Sequence, residues 1–207
     1  MTHHAAIQSA ETMAFLRAVV AGEEDLAVKS EDFLAKHFLS QKYRLLIGIG
    51  LQALLKRMLE LAVPGSYGFA IARTRHFDDV LLSEIRASIE QVVLLGAGYD
   101  SRPFRFRDAL GPIRVFEIDY PGTQARKRRM LDEIGERSPA NLTYIAADFN
   151  RQSLREALAH HGFSPDKRTL FLIVTEWKGM EQIPEVAQTR TGQVLTVTAP
   201  APGVGWP

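Results

Sequence analysis

Between Gln91 and Val174 short, uninterrupted apolar runs alternate with amphipathic stretches. Val92-Val93-Leu94-Leu95 has no polar alternation and stops at Gly96-Ala97-Gly98, so it predicts a strand covered on both faces, as in a parallel sheet. Ile113 to Asp119, Leu142 to Ala146 and Thr169 to Val174 predict further strands. Pro121 to Glu136 and Asn150 to His161 predict helices, the second with Leu154, Ala157 and Leu158 turned inward. Alternating strands and helices imply βαβ units and a parallel sheet.

Upstream, the pattern changes to helical spacing. Met13, Leu16, Val19 and Val20 predict a helix from Ser9 to Val20 with Ser9 as its cap. Ile47, Leu51, Leu54, Leu55, Met58 and Leu59 form one stripe, with Gln52, Lys56, Arg57 and Glu60 opposite; they predict a second helix packed on the domain and ended by Val63-Pro64-Gly65. Asp78 is the expected N-cap of a third, whose Leu81, Leu82, Ile85 and Ile89 face inward. Near the end, Gln193 to Val197 is strand-like, and the Pro- and Gly-rich Ala199 to Pro207 predicts a loose tail.

The chain of 207 residues suits one well-buried domain with a cap. Its 25 Lys and Arg nearly cancel its 24 Asp and Glu, so total charge calls for neither nucleic acid nor an anionic membrane. Absence of cysteine excludes disulfides and thiolate metal sites and fits a reducing compartment. The first residues lack a basic segment before an apolar core, and charged residues interrupt the greasy stretch Tyr43 to Leu61; the expectation is a soluble cytoplasmic protein.

Two features bring in chemistry. Gly96 and Gly98 allow a sharp turn and close approach of a ligand to the main chain at the carboxyl end of a strand. Asp119 ends the next strand about 20 residues on, the offset at which nucleoside-binding folds place a carboxylate for ribose hydroxyls. Glu117 points to the same face, but Asp119 is nearer the carboxyl end. A nicotinamide dinucleotide and S-adenosylmethionine share this geometry. The dinucleotide fingerprint wants a further Gly or Ala where Ser101-Arg102-Pro103 stands, which favours the cofactor without a pyrophosphate. The basic run Arg126-Lys127-Arg128-Arg129 has no interleaved aromatics and reads as a solvated helix face, and His160-His161 has no metal-ligand spacing.

Five segments carry a family resemblance over Leu45 to Leu172. They are Pro64-Gly65-Ser66-Tyr67-Gly68, Ala72 to Asp79, Gln91 to Arg102, Val115 to Pro121 with Thr123-Gln124, and Ala147-Asp148-Phe149. In order and spacing they resemble the bacterial S-adenosylmethionine-dependent methyltransferases related to leucine carboxyl methyltransferase. The resemblance implies an α/β class I methyltransferase-like (Rossmann-like) fold: an N-terminal helical segment over 1–90, a cofactor-binding core over 91–175, and a divergent tail over 176–207. It implies methyl transfer from S-adenosyl-L-methionine to an unidentified acceptor, a carboxyl or a hydroxyl.

By the same resemblance Arg73 pairs with the methionine carboxylate, Gly96, Ala97 and Gly98 give close backbone approach, and Asp119 takes the ribose. Asp148 then accepts from the adenine amino group and the Phe149 N–H meets a ring nitrogen; without the family pattern Asp148 reads as a turn or cap acid. No catalytic nucleophile or base is assigned, because a sulfonium-activated methyl needs chiefly positioning and exclusion of water. Beyond Leu172 the resemblance fades: Trp177-Lys178-Gly179-Met180 is a displaced echo of a family segment. The expectation is a truncated or divergent member whose strand Thr169 to Val174 is left as an exposed edge prone to self-association. A catalytically silent cofactor-binding or oligomerising remnant and an NAD-dependent oxidoreductase are the competing readings.

Overall fold

Short apolar strands joined by helices suit a parallel sheet covered on both faces, and the computed structural model has this arrangement. It describes residues 3–22, 31–49, 51–173 and 194–198. Helix α1 (His3–Ala21), a 3-10 turn (Ala35–Phe38), α2 (Gln41–Gly48), α3 (Gln52–Ala62) and α4 (Ser66–Arg86) precede the sheet. There follow β1 (Gln91–Leu95), the one-turn helices α5 (Arg102–Arg105) and α6 (Arg107–Leu110), β2 (Arg114–Asp119), α7 (Pro121–Glu133), β3 (Leu142–Ala146), α8 (Leu154–Ala159), β4 (Thr169–Ile173) and β5 (Val194–Thr198). The strand order is β3-β2-β1-β4-β5, with every pair parallel.

Alternation along β1 explains the two-sided core. Val93 and Leu95 join Phe116, Ile118, Phe171 and Ile173 on one face, under Leu154 and Leu158 of α8. Val92 and Leu94 join Val115, Leu170 and Leu172 on the other, against Phe77 and Leu81 of α4. A further cluster ties the helical segment to the α/β part: Ala14 and Ala18 of α1 and Phe38 pack with Tyr99, Phe104 and Leu131. Among the described residues no helix is long and apolar enough to cross a membrane.

Several expectations change. Helix α1 starts at His3, so Ser9 lies inside it and is not its cap. The second expected helix is divided between Gly48 and Gln52 into α2 and α3, and its stripe is only partly covered: Leu54 and Met58 are 51% and 59% exposed, while Ile47 is buried and Leu55 packs against the core. Helix α4 runs unbroken through Asp78, so that residue caps nothing. Helix α8 begins at Leu154, because Ser153 and Glu156 form a reciprocal capping box that fixes its start. Strand β4 is not an edge: Val194–Thr198, one residue further along than the predicted run, pairs with it in parallel from Thr169↔Val194 to Ile173↔Thr198. Val174, the Trp177 to Met180 echo and the tail from Ala199 lie outside the described residues.

Candidate functional site

The carboxyl ends of β1, β2 and β3 lie side by side, and main-chain bonds continue past the strands. Ala97 N–H donates to Ile118 O at 3.3 Å and Ala147 N–H to Asp119 O at 2.9 Å. Gly96 and Gly98 turn the chain with φ of 61° and 52°, left-handed values that disfavour any residue with a Cβ. A Cβ on Gly98 would also stand 3.2 Å from the Cβ of Ala10, so α1 packs directly on the glycine. Gly98 N–H donates to Asp119 Oδ2, and Tyr120 N–H donates to Asp119 Oδ1 at 2.5 Å. Each carboxylate oxygen has more than one acceptor site, so these bonds orient Asp119 and leave it able to accept from hydroxyl donors. Burial raises its carboxyl above the usual range, against the two N–H bonds and Lys127, which lower it.

Glu117 and Asp119 share a face but not an environment. Glu117 is wholly buried, and its Oε2 lies 2.7 Å from Lys127 Nζ of α7. Asp119, two residues nearer the strand end, is partly accessible. This bears on the choice between them: the accessible carboxylate is the one at the rim.

Arg73 projects from the buried face of α4 and is 6% exposed. Burial first, then the neighbouring cations Arg102 and Arg17, pull its pKa down to about 10, with Asp100 opposing. Like charges beside a buried guanidinium disfavour its charged form, and a nearby anion offsets that cost. Its neighbours are tied to the segment after Gly98. Asp78 accepts from Arg102 Nε at 2.7 Å and from Arg105 Nη1 and Nη2 at 2.8 and 2.9 Å. Asp100 accepts from Arg102 N at 2.8 Å and Nη1 at 2.5 Å. Burial alone would raise the Asp100 carboxyl; Arg102, Lys127, the Arg102 N–H and Arg17 together bring it down to about 2.

Asp148 stands just past β3, next to Ala147. Its Oδ1 accepts from Asn150 N at 3.0 Å and Nδ2 at 2.8 Å, which lowers its pKa and gives it the turn-forming role that its sequence context alone suggests. Phe149 packs against the α8 face of the sheet. Ser101 is buried and its Oγ accepts from Arg105 Nε at 3.0 Å, the role of a structural hydroxyl. Among the described residues no group of three or more His, Cys, Asp or Glu is placed to hold a metal ion.

Sequence reasoning missed the buried charges. The run Arg126 to Arg129 is not a uniformly solvated face: Arg128 and Arg129 are exposed, but Lys127 has no exposure at all. The available signal was spacing, since Thr123, Gln124, Lys127 and Leu131 fall on one stripe of α7 and are the buried ones. Lysine at such a position is rarely buried without a partner, and that partner, Glu117, is on a different element.

The chain matches the family described as leucine carboxyl methyltransferase over residues 10–175. A Mycobacteroides abscessus protein provisionally named an S-adenosyl-L-methionine-dependent methyltransferase is 38% identical over 105 residues, which cover 51% of this chain and 34% of the relative. A Streptomyces coelicolor protein with the same provisional name is 43% identical over 102 residues, covering 49% and 33%. One from Mycolicibacterium vanbaalenii is 34% identical over 135 residues, covering 61% and 45%. Each match thus spans less than half the length of the relative.

Proposed function

Because the chain belongs to the leucine carboxyl methyltransferase family, we propose that it binds S-adenosyl-L-methionine at the carboxyl ends of β1, β2 and β3 and transfers a methyl group to a carboxyl or hydroxyl acceptor. The observation that carries the reading is the hydrogen bond from Gly98 N–H to the Asp119 carboxylate, which joins the glycine turn and the rim acid into one cradle. In this reading the turn Gly96-Ala97-Gly98 lines the ligand site, Gly98 by holding Asp119 while α1 packs on it, and Asp119 accepts from the ribose hydroxyls. Arg73 pairs with the methionine carboxylate, and its cationic surroundings favour that anion. Asp148 and the Phe149 N–H meet the adenine. Bound there, S-adenosylmethionine supplies an electrophilic methyl group; the chain contributes orientation and a site shielded by α1.

The environment of Arg102 argues against the dinucleotide. Its N–H, at the start of the short helix where a pyrophosphate would dock, already donates to the buried Asp100 carboxylate. A phosphate there would have to displace a carboxylate. The second reading is cofactor binding without turnover. In either case β5 is, among the described residues, an outer strand of the sheet, where a second copy can pair.

Calorimetric titration with S-adenosylmethionine, S-adenosylhomocysteine and NAD separates the readings. Binding of the first two without NAD is expected. Binding of NAD alone, or of nothing, would falsify the cofactor assignment. Release of S-adenosylhomocysteine in the presence of an acceptor then distinguishes an enzyme from a silent binder.

A further inference from the structure

The segment after Gly98 is gripped by two buried cations on different helices. Arg17 of α1 donates to Tyr99 O at 2.6 Å, and Lys127 of α7 donates to Asp100 O at 2.6 Å. Consecutive carbonyls are captured, so these peptides cannot turn independently of α1 and α7. Lys127 is itself anchored by Glu117 Oε2 at 2.7 Å, both side chains being fully buried. Taking two such charges out of water costs several kcal/mol per ion. Moreover, Glu117 Oε1 accepts no hydrogen bond from the described residues. An apolar pair of similar volume would stabilise the sheet at least as well. What the ion pair adds is an ammonium fixed against the Asp100 carbonyl.

We propose that Lys127, anchored by Glu117, is a positioning residue that holds the peptides from Tyr99 to Ser101 in the orientation the cofactor needs, and that protonation of Glu117 loosens it. The inference rests on the cofactor reading above for its functional consequence. Lys127 from α7, Asp100 from the loop, Asp119 on the same strand and Tyr144 from β3 are the charged and titratable groups that act on Glu117. Burial pushes the Glu117 carboxyl up, Lys127 pulls it down, and Asp100 and Asp119 raise it again, leaving it at about 7. Below that pH the ammonium keeps the Asp100 carbonyl but loses its ionic anchor.

Stability moves the other way. A carboxyl whose folded pKa exceeds its unfolded one binds more protons when folded. Its contribution to stability therefore rises as pH falls from about 7 toward the unfolded value near 4.5. Positioning and stability respond to acid with opposite signs, whereas a merely structural pair would move them together.

The test compares the full chain with its Glu117→Gln and Lys127→Met variants by amide exchange at pH 8 and pH 6, expressed as protection factors, together with thermal midpoints and S-adenosylmethionine affinity. In the unmodified protein protection of residues 99–102 and affinity should both fall about tenfold on acidification, while the contribution of Glu117 to the midpoint, read as the difference from E117Q, rises. E117Q, a neutral stand-in for the protonated carboxyl, should lack this step and stay at the low protection of the acidified protein, and K127M should be poorly protected at both pH values. Identical pH profiles in the unmodified protein and E117Q, or undiminished protection in K127M, would overturn the proposal. If K127M does not fold, the E117Q comparison decides. If the unmodified protein binds no S-adenosylmethionine at either pH, the cofactor reading fails, and the protection factors still decide whether Glu117 and Lys127 set the loop.

Discussion

Gly98 and Asp119 are joined by a main-chain N–H to carboxylate bond across the mouths of adjacent parallel strands. Substituting Asp119→Ala removes the acceptor of the Gly98 amide and, in the proposed site, the acceptor for the ribose hydroxyls. Cofactor affinity should drop by about 10- to 100-fold, the worth of one charge-assisted hydrogen bond of roughly 1.5–3 kcal/mol. Isothermal titration reads this directly; an unchanged dissociation constant would remove Asp119 from the site.

Gly98→Ala meets two obstacles, a φ of 52° and the Ala10 Cβ at 3.2 Å. The left-handed conformation alone costs about 1–2 kcal/mol. Urea unfolding should show at least that loss, and Ala10→Gly should restore part of it by clearing the contact but not the backbone strain. Full restoration by Ala10→Gly would mean that the strain is absent.

Arg73→Ala should weaken S-adenosylmethionine more than adenosine, because adenosine lacks the carboxylate that a guanidinium pairs with. The difference expected is about tenfold or more, the value of a charge-assisted bond in a desolvated site. Equal losses for both ligands would make Arg73 a packing residue over the Phe77 ring, which its guanidinium carbon approaches to 5.5 Å.

Asp100 predicts an acid-sensitive fold. Its folded pKa of about 2 lies below the ordinary value of 3.8, so its contribution is present above that value and is lost as pH falls through the folded one. The contribution is roughly 2 kcal/mol. Asp100→Asn should flatten the stability profile between about pH 4 and pH 2 while lowering stability at neutral pH, which chemical denaturation across that range measures. A profile as steep as that of the unmodified protein would assign the acid sensitivity to another carboxylate.

The strands were readable because Val92 to Leu95 and Leu170 to Ile173 are covered on both faces, and such runs need no knowledge of their neighbours. The glycine turn and Asp119 were readable for a related reason: both depend on position relative to a strand end. Helix α4 was readable only in its second half, because Arg73, Thr74 and Asp78 interrupt the apolar pattern of the first. Their polarity is answered by groups distant in sequence, such as Arg102 for Asp78. The same holds for Lys127 and Glu117. Hydrophobic periodicity reports burial of apolar groups, and buried ion pairs are invisible to it until both partners are known. The break between α2 and α3 escaped because one apolar stripe continues across it, although Leu54 and Met58 of that stripe are exposed.

The uniformly parallel sheet also bears on how the chain reaches its native state. No two neighbouring strands form a hairpin, and Gln91 of the central strand must find Thr169, 78 residues away, as well as Arg114. Loop-closure entropy has to be met before such contacts contribute, so folding should be slow for a domain of this size. During synthesis β1 emerges first among the strands and waits for β4 before its second side is paired, leaving Val92 to Leu95 open to other chains in the interval. A half-paired central strand during synthesis is thus a consequence of the strand order.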